Sequence, residues 1–202
     1  MLRMVGPKIP MDIYVAASGG PDSMAVLDFL IRGGRKITVL HFDHGTKHGE
    51  DAREFIREYC QSRDIKLIIG NEIRERDSNE SMEEYWRDMR YQFLDQYSDK
   101  PIVMAHNLDD QVMSWVFTSL NGLPKLIPYN RRNVIRPFIV TSKQNMIDWC
   151  ERNGVPYLTD PSNDDTRYMR NFIRKEILPS ALVVNPGLYK VILKKILRNF
   201  EG

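Results

Sequence analysis

The stretch SGGPDS at residues 18–23 combines the residue types that most readily surround an anion. It follows a short apolar run at residues 13–17 and precedes a helical pattern at residues 22–31. Glycines between a strand and a helix allow backbone N–H groups to converge on a phosphate. The stretch lacks the lysine and the spacing of a Walker A motif. Its own residues leave two interpretations open, a phosphate-binding loop and an ordinary N-capping turn.

Three further polar clusters carry candidate functional side chains. HFDHG at residues 41–45 and HNLDDQ at residues 106–111 each follow an apolar run. Arg87 and Arg90 are three residues apart in a helical pattern and therefore share one face. Each cluster also has a structural explanation. A histidine such as those at residues 41–45 is more often a structural residue than a catalyst. The acidic residues of HNLDDQ suit the first turn of a helix, and Arg87 and Arg90 can pair with nearby glutamates on a surface.

The order of apolar runs and helical patterns predicts the elements that position these clusters. Strand-like runs alternate with helical patterns, as in a doubly wound α/β fold with a mostly parallel sheet, here of five strands. The loops after the strands should meet at the carboxyl edge of the sheet, where ligands bind in such folds. The predicted strands are residues 13–17, 37–42, 65–69 and 102–105, and the predicted helices are residues 22–31, 50–61 and 81–97.

The composition changes after residue 120, where turn-forming residues replace the strand–helix alternation. We therefore predict a core at residues 1–125 and a helical, basic extension packed on it at residues 126–202. From Arg131 onward, basic residues outnumber acidic residues thirteen to seven, which suits a polyanion or a solvated basic face. The extension is predicted to hold helices at residues 142–153 and 188–200 and another that passes Arg174 and stops near Pro179.

Whole-chain properties exclude several classes. The chain has 202 residues and a formal net charge of +2, so it is not a strongly basic nucleic-acid binder. Cys60 and Cys150 form no C-x-x-C pair, and no apolar run approaches the length of a membrane span. These features predict a cytoplasmic protein with no membrane partner and leave the oligomeric state open.

Five stretches together resemble one known family. SGGPDS is similar to the pyrophosphate loop of the N-type ATP pyrophosphatases, which cleave ATP between its α and β phosphates. Within that superfamily, four more stretches resemble the tRNA(Ile) lysidine synthetases, and the last is the most specific. They are HFDHGTKHGEDAREF (41–55), EEYWRDMRYQFL (83–94), AHNLDDQ (105–111) and DPSNDDTRYMRNFIRKEILP (160–179).

The resemblance implies a ligase that uses ATP and Mg²⁺, with tRNA and lysine as its other substrates. It implies catalytic roles for Asp22, Arg87 and Asp110, with Asp22 also placing the metal. The ATP-binding residues it implies are Ser18, Gly19, Gly20, Asp22, Ser23, His44, Arg170 and Arg174. It implies amine-binding positions at Asp109, Asp110 and Met113 and tRNA contacts at Arg90, Arg167 and Asn171.

Two departures from the family pattern keep alternatives open. The family carries a glutamate that receives the lysine ammonium where this chain has Met113. The family also continues into further tRNA-binding domains, so the resemblance is to a short form that holds only the catalytic domain. The alternatives are another adenylating transferase of this superfamily, with a different amine or a thiolation activity, and an inactive nucleotide- or RNA-binding homologue.

Overall fold

A six-stranded sheet organises the protein, for which a computed structural model describes residues 1–71, 74–159, 166 and 169–200. The strand order is β3-β2-β1-β4-β6-β5, and all neighbouring pairs are parallel except β5 and β6. The strands are β1 (Asp12–Ala16), β2 (Lys36–Phe42), β3 (Lys66–Gly70), β4 (Ile102–Met104), β5 (Asn130–Arg131) and β6 (Val134–Ile135).

Helices cover both faces of this sheet, which is the doubly wound architecture that the sequence predicts. Helices α1, α2 and α5 pack on one face around Val15 and Val39, and α3 packs on the other face around Tyr14 and Leu40. The helices are α1 (Pro21–Arg32), α2 (Lys47–Gln61), α3 (Met82–Leu94), α4 (Leu108–Leu120), α5 (Lys143–Asn153), α6 (Met169–Phe172), α7 (Leu178–Val184) and α8 (Leu188–Arg198).

The mostly parallel α/β class is confirmed, but the predicted number of five strands is wrong. Strands β5 and β6 form a hairpin. Each strand has only two residues, which is too short to produce an apolar run in the sequence. Arg132 in its turn has a φ of 51°. The hairpin lies beyond residue 125 and hydrogen-bonds to β4, so part of the predicted extension belongs to the sheet. The division at residue 125 stays a prediction.

The helix that was predicted to stop near Pro179 continues to Val184. A π-helical turn, Ile173–Ile177, joins α6 to α7, and the N–H of Leu178 bonds to the carbonyl of Ile173. In a regular α-helix the Pro179 ring would press against the carbonyl four residues earlier. The wider turn avoids that clash, so this proline does not end the helix.

Helices α4, α7 and α8 share a third apolar cluster, which includes Leu108, Val112, Leu178, Ile192 and Ile196. This cluster holds the C-terminal helices against the start of α4. Among the described residues, no single helix is long and apolar enough to cross a membrane, although the bent pair Met169–Val184 and Leu188–Arg198 passes by length and composition.

Candidate active site

The loop at residues 18–23 lies at the carboxyl end of β1 and closes on itself through Ser23. The Ser23 hydroxyl donates to the carbonyl of Gly20 at 2.9 Å and accepts from the N–H of Ser18 at 3.2 Å. Gly19 has a φ of +87°, which favours glycine, and its carbonyl accepts from the N–H of Leu158 at 2.9 Å. The loop is thus preformed and tied to the extension.

A cavity of about 240 Å³ opens beside this loop. Its walls come from the carboxyl ends of three parallel strands and from the helices that follow, as expected at this edge of a doubly wound sheet. The polar side chains that line it are Ser18, Asp22, Ser23, His44, Arg90, His106, Asp110 and Arg170.

Asn107 joins the two carboxylates that the sequence analysis favours. Its amide nitrogen donates to Asp22 Oδ1 at 3.1 Å, and its Oδ1 accepts from the backbone N–H of Asp110 at 3.0 Å. Asp110 Oδ2 in turn accepts from the N–H of Asn107 at 3.1 Å, which completes a capping box at the start of α4. One N-cap residue therefore couples the loop of β1 to the helix after β4.

Burial and charge make Asp22 the most perturbed carboxyl group of the cavity. Burial raises its pKa from the ordinary 3.8 to about 6, Lys143 opposes the rise and Asp110 adds to it. The Lys143 ammonium lies 3.6 Å from Asp22 Oδ2, at the side opposite Asn107. A half-buried acidic pair in a cleft, with a raised pKa at Asp22, marks a candidate functional site on physical grounds.

Asp109, an expected amine-binding residue, is engaged in structural bonds. Its Oδ2 accepts from the backbone N–H of Lys143 at 2.7 Å and its Oδ1 accepts from the Tyr189 hydroxyl at 3.0 Å. It thereby ties the starts of α4 and α5 to α8. Met113 is half-buried against the third apolar cluster, and neither residue lines the cavity.

The basic wall of the cavity is formed by Arg90 and Arg170, whereas Arg87 is exposed on α3 and does not line it. Burial lowers the pKa of Arg90 from its ordinary value, and nearby Arg170 adds to this effect. Arg170 Nη2 lies 4.0 Å from Asp110 Oδ1. Of the two arginines on α3, Arg90 is therefore placed to meet a ligand.

Burial and these arginines lower the pKa of His106 well below its ordinary value. The imidazole is therefore neutral at pH 7. Its buried Nδ1 has no hydrogen-bond partner among the described residues. His44 also lines the cavity, with its ring centroid 5.0 Å from that of Phe42 and 5.3 Å from that of Trp86 on α3.

A buried guanidinium lies behind the basic wall. Arg136 is 1% exposed and donates to the Tyr91 hydroxyl at 2.7 Å and the Pro128 carbonyl at 2.9 Å. Arg131 stacks on the other side of this pair, 3.9 Å from the Tyr91 ring centroid. Arg136, Arg90 and Arg131 together outweigh the burial effect and lower the pKa of Tyr91. The region is electropositive and favours an anion.

The remaining predicted residues are placed less directly. Asn171 is buried and its Oδ1 accepts from Arg174 Nη2 at 2.8 Å. Neither of the two lines the cavity. Arg167 lies outside the described residues.

Mg²⁺, which the resemblance implies, fits the acidic side of the cavity. The raised pKa of Asp22 reflects burial and the charge of Asp110, and a divalent cation would offset both. No three His, Cys, Asp or Glu side chains in the described ranges are grouped to hold a metal. Mg²⁺ in nucleotide sites commonly takes one or two carboxylates plus phosphate oxygens, so a smaller protein ligand set is sufficient.

A family model described as a PP-loop domain matches residues 1–181. The chain belongs to the PP-loop family. This membership implies ATP as a ligand.

Relatives from several bacteria are named tRNA(Ile)-lysidine synthase. The tRNA(Ile)-lysidine synthase of Thermotoga sp. strain RQ2 is 32% identical over 209 residues, covering 93% of this chain and 50% of that protein. That of Bacillus subtilis is also 32% identical, over 88% of this chain and 42% of the relative. The chain thus spans about half the length of the curated relatives it matches.

A solved structure supports the PP-loop fold. The NH3-dependent NAD synthetase from Campylobacter jejuni superposes with a TM-score of 0.55 and 14% identity, covering 94% of this chain and 85% of that one. At that identity the likeness concerns the fold alone.

Three side chains at or behind this cavity are not predicted from the sequence, namely Asn107, Lys143 and Arg136. Asn107 lies within a quoted motif, and its N-cap position before two acidic residues could have indicated its role. Lys143 and Arg136 reach the site or its rear wall from the predicted extension. Only long-range contacts reveal them, because neither residue belongs to a local pattern.

Proposed function

We propose that this protein is a tRNA(Ile) lysidine synthetase, which activates C2 of the wobble cytidine in a CAU anticodon with ATP and then attaches lysine. The observation that carries the proposal is the junction of Asp22, Asn107 and Asp110 beside the loop at residues 18–23. It brings a phosphate-binding loop within reach of a second carboxylate in a chain whose relatives bear that name.

In the first step, the cytidine O2 bonds to the α-phosphorus of ATP and pyrophosphate leaves. The loop N–H groups and the Ser18 and Ser23 hydroxyls would hold the leaving pyrophosphate, and Asp22 would carry the metal. Mg²⁺ supplies charge neutralisation at the phosphate oxygens when it is bound. Arg90, which lines the same cavity, would stabilise negative charge that develops at the α-phosphate.

In the second step, the lysine ε-amine bonds to C2 and AMP leaves with the original O2. The attacking nitrogen must lose a proton, and Asp110 is the carboxylate at the cavity that can orient the amine and accept it. Asp110 keeps its oxygen Oδ1 toward Arg170 at 4.0 Å, while Oδ2 is held by the capping box. Positioning of the two substrates accounts for much of the remaining rate enhancement.

The choice of amine depends on residue 113. Met113 is uncharged and packs against an apolar cluster, so it does not attract a lysine ammonium. If the ammonium of lysine is held one turn from Asp110, Met113→Glu should lower KM for lysine by about tenfold, which is the value of one charge-assisted contact. An unchanged KM would place the ammonium elsewhere.

The test is an incubation with ATP, Mg²⁺, radiolabelled lysine and tRNA(Ile) with a CAU anticodon, followed by nucleoside analysis and pyrophosphate measurement. We expect lysine in the wobble nucleoside and pyrophosphate in equal amounts. The control tRNA carries uridine at the wobble position, and incubation with it should produce no pyrophosphate. Pyrophosphate without lysine would overturn the amine assignment, and no pyrophosphate with either tRNA would overturn the proposed function.

Matched variants locate the chemistry within the cavity. Asp110→Asn should retain pyrophosphate release and lose most lysine attachment, since the amide accepts no proton. Asp51→Asn removes one exposed carboxylate from α2 and serves as the control for the change of charge. Equal loss of both steps in Asp110→Asn would refute the division of roles between Asp22 and Asp110.

A further inference from the structure

Lys143 is the one cation in the described ranges that the C-terminal half brings to Asp22 of the phosphate-binding loop. Its Nζ lies 3.6 Å from Asp22 Oδ2, which is an ion pair longer than an ordinary hydrogen bond. The other oxygen of Asp22 is already occupied by the Asn107 amide. The ammonium therefore faces the oxygen of Asp22 that Asn107 does not contact.

The backbone of Lys143 is fixed while its side chain is not. Its N–H donates to Asp109 Oδ2 at 2.7 Å, and Ser142 caps the same turn by accepting from the N–H of Asn145. The Lys143 side chain is 37% exposed, and that of Asp22 is 26% exposed. A long, solvated lysine side chain on a fixed helix start can exchange one anionic partner for another at small cost.

We infer that Lys143 is a phosphate-binding residue of the ATP site, and that its ammonium transfers from Asp22 to the pyrophosphate portion of ATP when nucleotide and Mg²⁺ bind. This inference rests on the proposed function, because it assumes that the loop binds ATP. Pyrophosphate carries more negative charge than a single carboxylate and so competes well for the ammonium. A cation on Asp22 would at the same time weaken the hold of that carboxylate on Lys143.

The inference assigns the second half of the chain a direct part in nucleotide binding. Helix α5 begins at Lys143 and packs through its apolar face on α1, the helix that starts at the loop. The ammonium and the loop are therefore held by two helices in mutual contact. Their separation is set by packing rather than by a flexible linker.

Calorimetric binding of three ligands to the full chain tests this role without any turnover. The ligands are ATP, inorganic pyrophosphate and AMP, each with Mg²⁺, and the proteins are wild type, Lys143→Met, Lys143→Gln and Lys143→Arg. We expect both neutral variants to bind ATP and pyrophosphate about 10- to 100-fold more weakly, with AMP binding unchanged. Lys143→Arg should restore most of the affinity, because it keeps the charge.

The matched control is Lys36→Met, which removes another lysine–aspartate pair at 3.9 Å, between Lys36 and Asp12, from the opposite edge of the sheet. It should leave all three affinities unchanged. An equal loss for AMP, or no loss for ATP in Lys143→Met and Lys143→Gln, would overturn the inference alone. Failure of the wild type to bind ATP would overturn the proposed function together with it.

Discussion

Replacing Asp22 by asparagine should stabilise the ligand-free protein at neutral pH. Its pKa of about 6, against an ordinary 3.8, means that folding disfavours the charged carboxylate by about two pKa units. At 1.36 kcal/mol per unit, this amounts to roughly 3 kcal/mol. The attraction of Lys143 and the Asn107 hydrogen bond are already contained in that net shift. Asparagine keeps an oxygen for Asn107 and carries no charge, so it avoids this cost.

The stability difference between Asp22→Asn and the wild type should depend on pH in a definite direction. Below pH 3.8 the carboxyl is protonated in both folded and unfolded chains, and the variant gains nothing. Between pH 3.8 and 6 the folded protein binds more protons than the unfolded chain, so the stability of the wild type falls as the pH rises. Above pH 6 the full difference in the free energy of unfolding between the variant and the wild type is present. The advantage of Asp22→Asn should therefore grow from near zero at pH 3.5 to its full value by pH 7.

The assay is urea and thermal unfolding of both proteins from pH 3.5 to 7.5. We expect a gain of about 2–3 kcal/mol at pH 7, or roughly 5–10 °C in Tm for a chain of this size. Asp51→Asn, at an exposed position, controls for the removal of one negative charge. ATP with Mg²⁺ should raise the Tm of the wild type more than that of Asp22→Asn, which lacks the carboxylate proposed to carry the metal. A difference in stability that is constant across the pH range would refute the reasoning.

Three further substitutions have outcomes that follow from contacts. A Cβ on Gly70 would clash with the Phe93 ring, so Gly70→Ala should cost about 1–3 kcal/mol in urea unfolding. The double variant Gly70→Ala with Phe93→Leu should recover part of this loss, because the leucine side chain is smaller than the phenylalanine ring. Tyr91→Phe leaves a buried Arg136 donor unpaired and should cost about 1–3 kcal/mol, whereas a loss below 0.5 kcal/mol would indicate that water replaces the hydroxyl. Asp109→Ala removes two hydrogen bonds between helices and should lower the Tm, with proteolysis near the start of α5 as a second measurement that must also change.

The parallel core was predictable because its strands are contiguous apolar runs. Residues 13–17 and 37–42 are short, β-branched and buried on both faces, and the structure places β1 and β2 there. The hairpin of β5 and β6 was not predictable, since two-residue strands have no period. It forms because β4 presents an edge to which the segment after Asn133 can bond.

The candidate site was predictable in its loops and less so in its individual side chains. Arg87 and Arg90 differ by about 60° around the axis of α3, and periodicity alone does not tell which of them faces the cavity. Tertiary packing of α3 decides in favour of Arg90. Asp109 and Asp110 are adjacent in sequence, yet one ties helices together and the other lines the cavity. The two members of each pair have the same residue type and lie in the same local sequence pattern. Only the tertiary structure therefore shows which member lines the cavity.

The π-helical turn, Ile173–Ile177, has a consequence for how this segment tolerates changes in length. A π turn accommodates one residue more than an α turn, so the flanking helices keep the facing they would have if one residue were deleted. Arg170 then stays at the cavity and Leu178 stays in the third apolar cluster. A one-residue deletion within 173–177 would convert the turn to α-helix and keep this facing, but it would also press the Pro179 ring against the preceding turn, so it should be tolerated only together with Pro179→Ala. The same deletion within α5 would turn everything beyond it by about 100°.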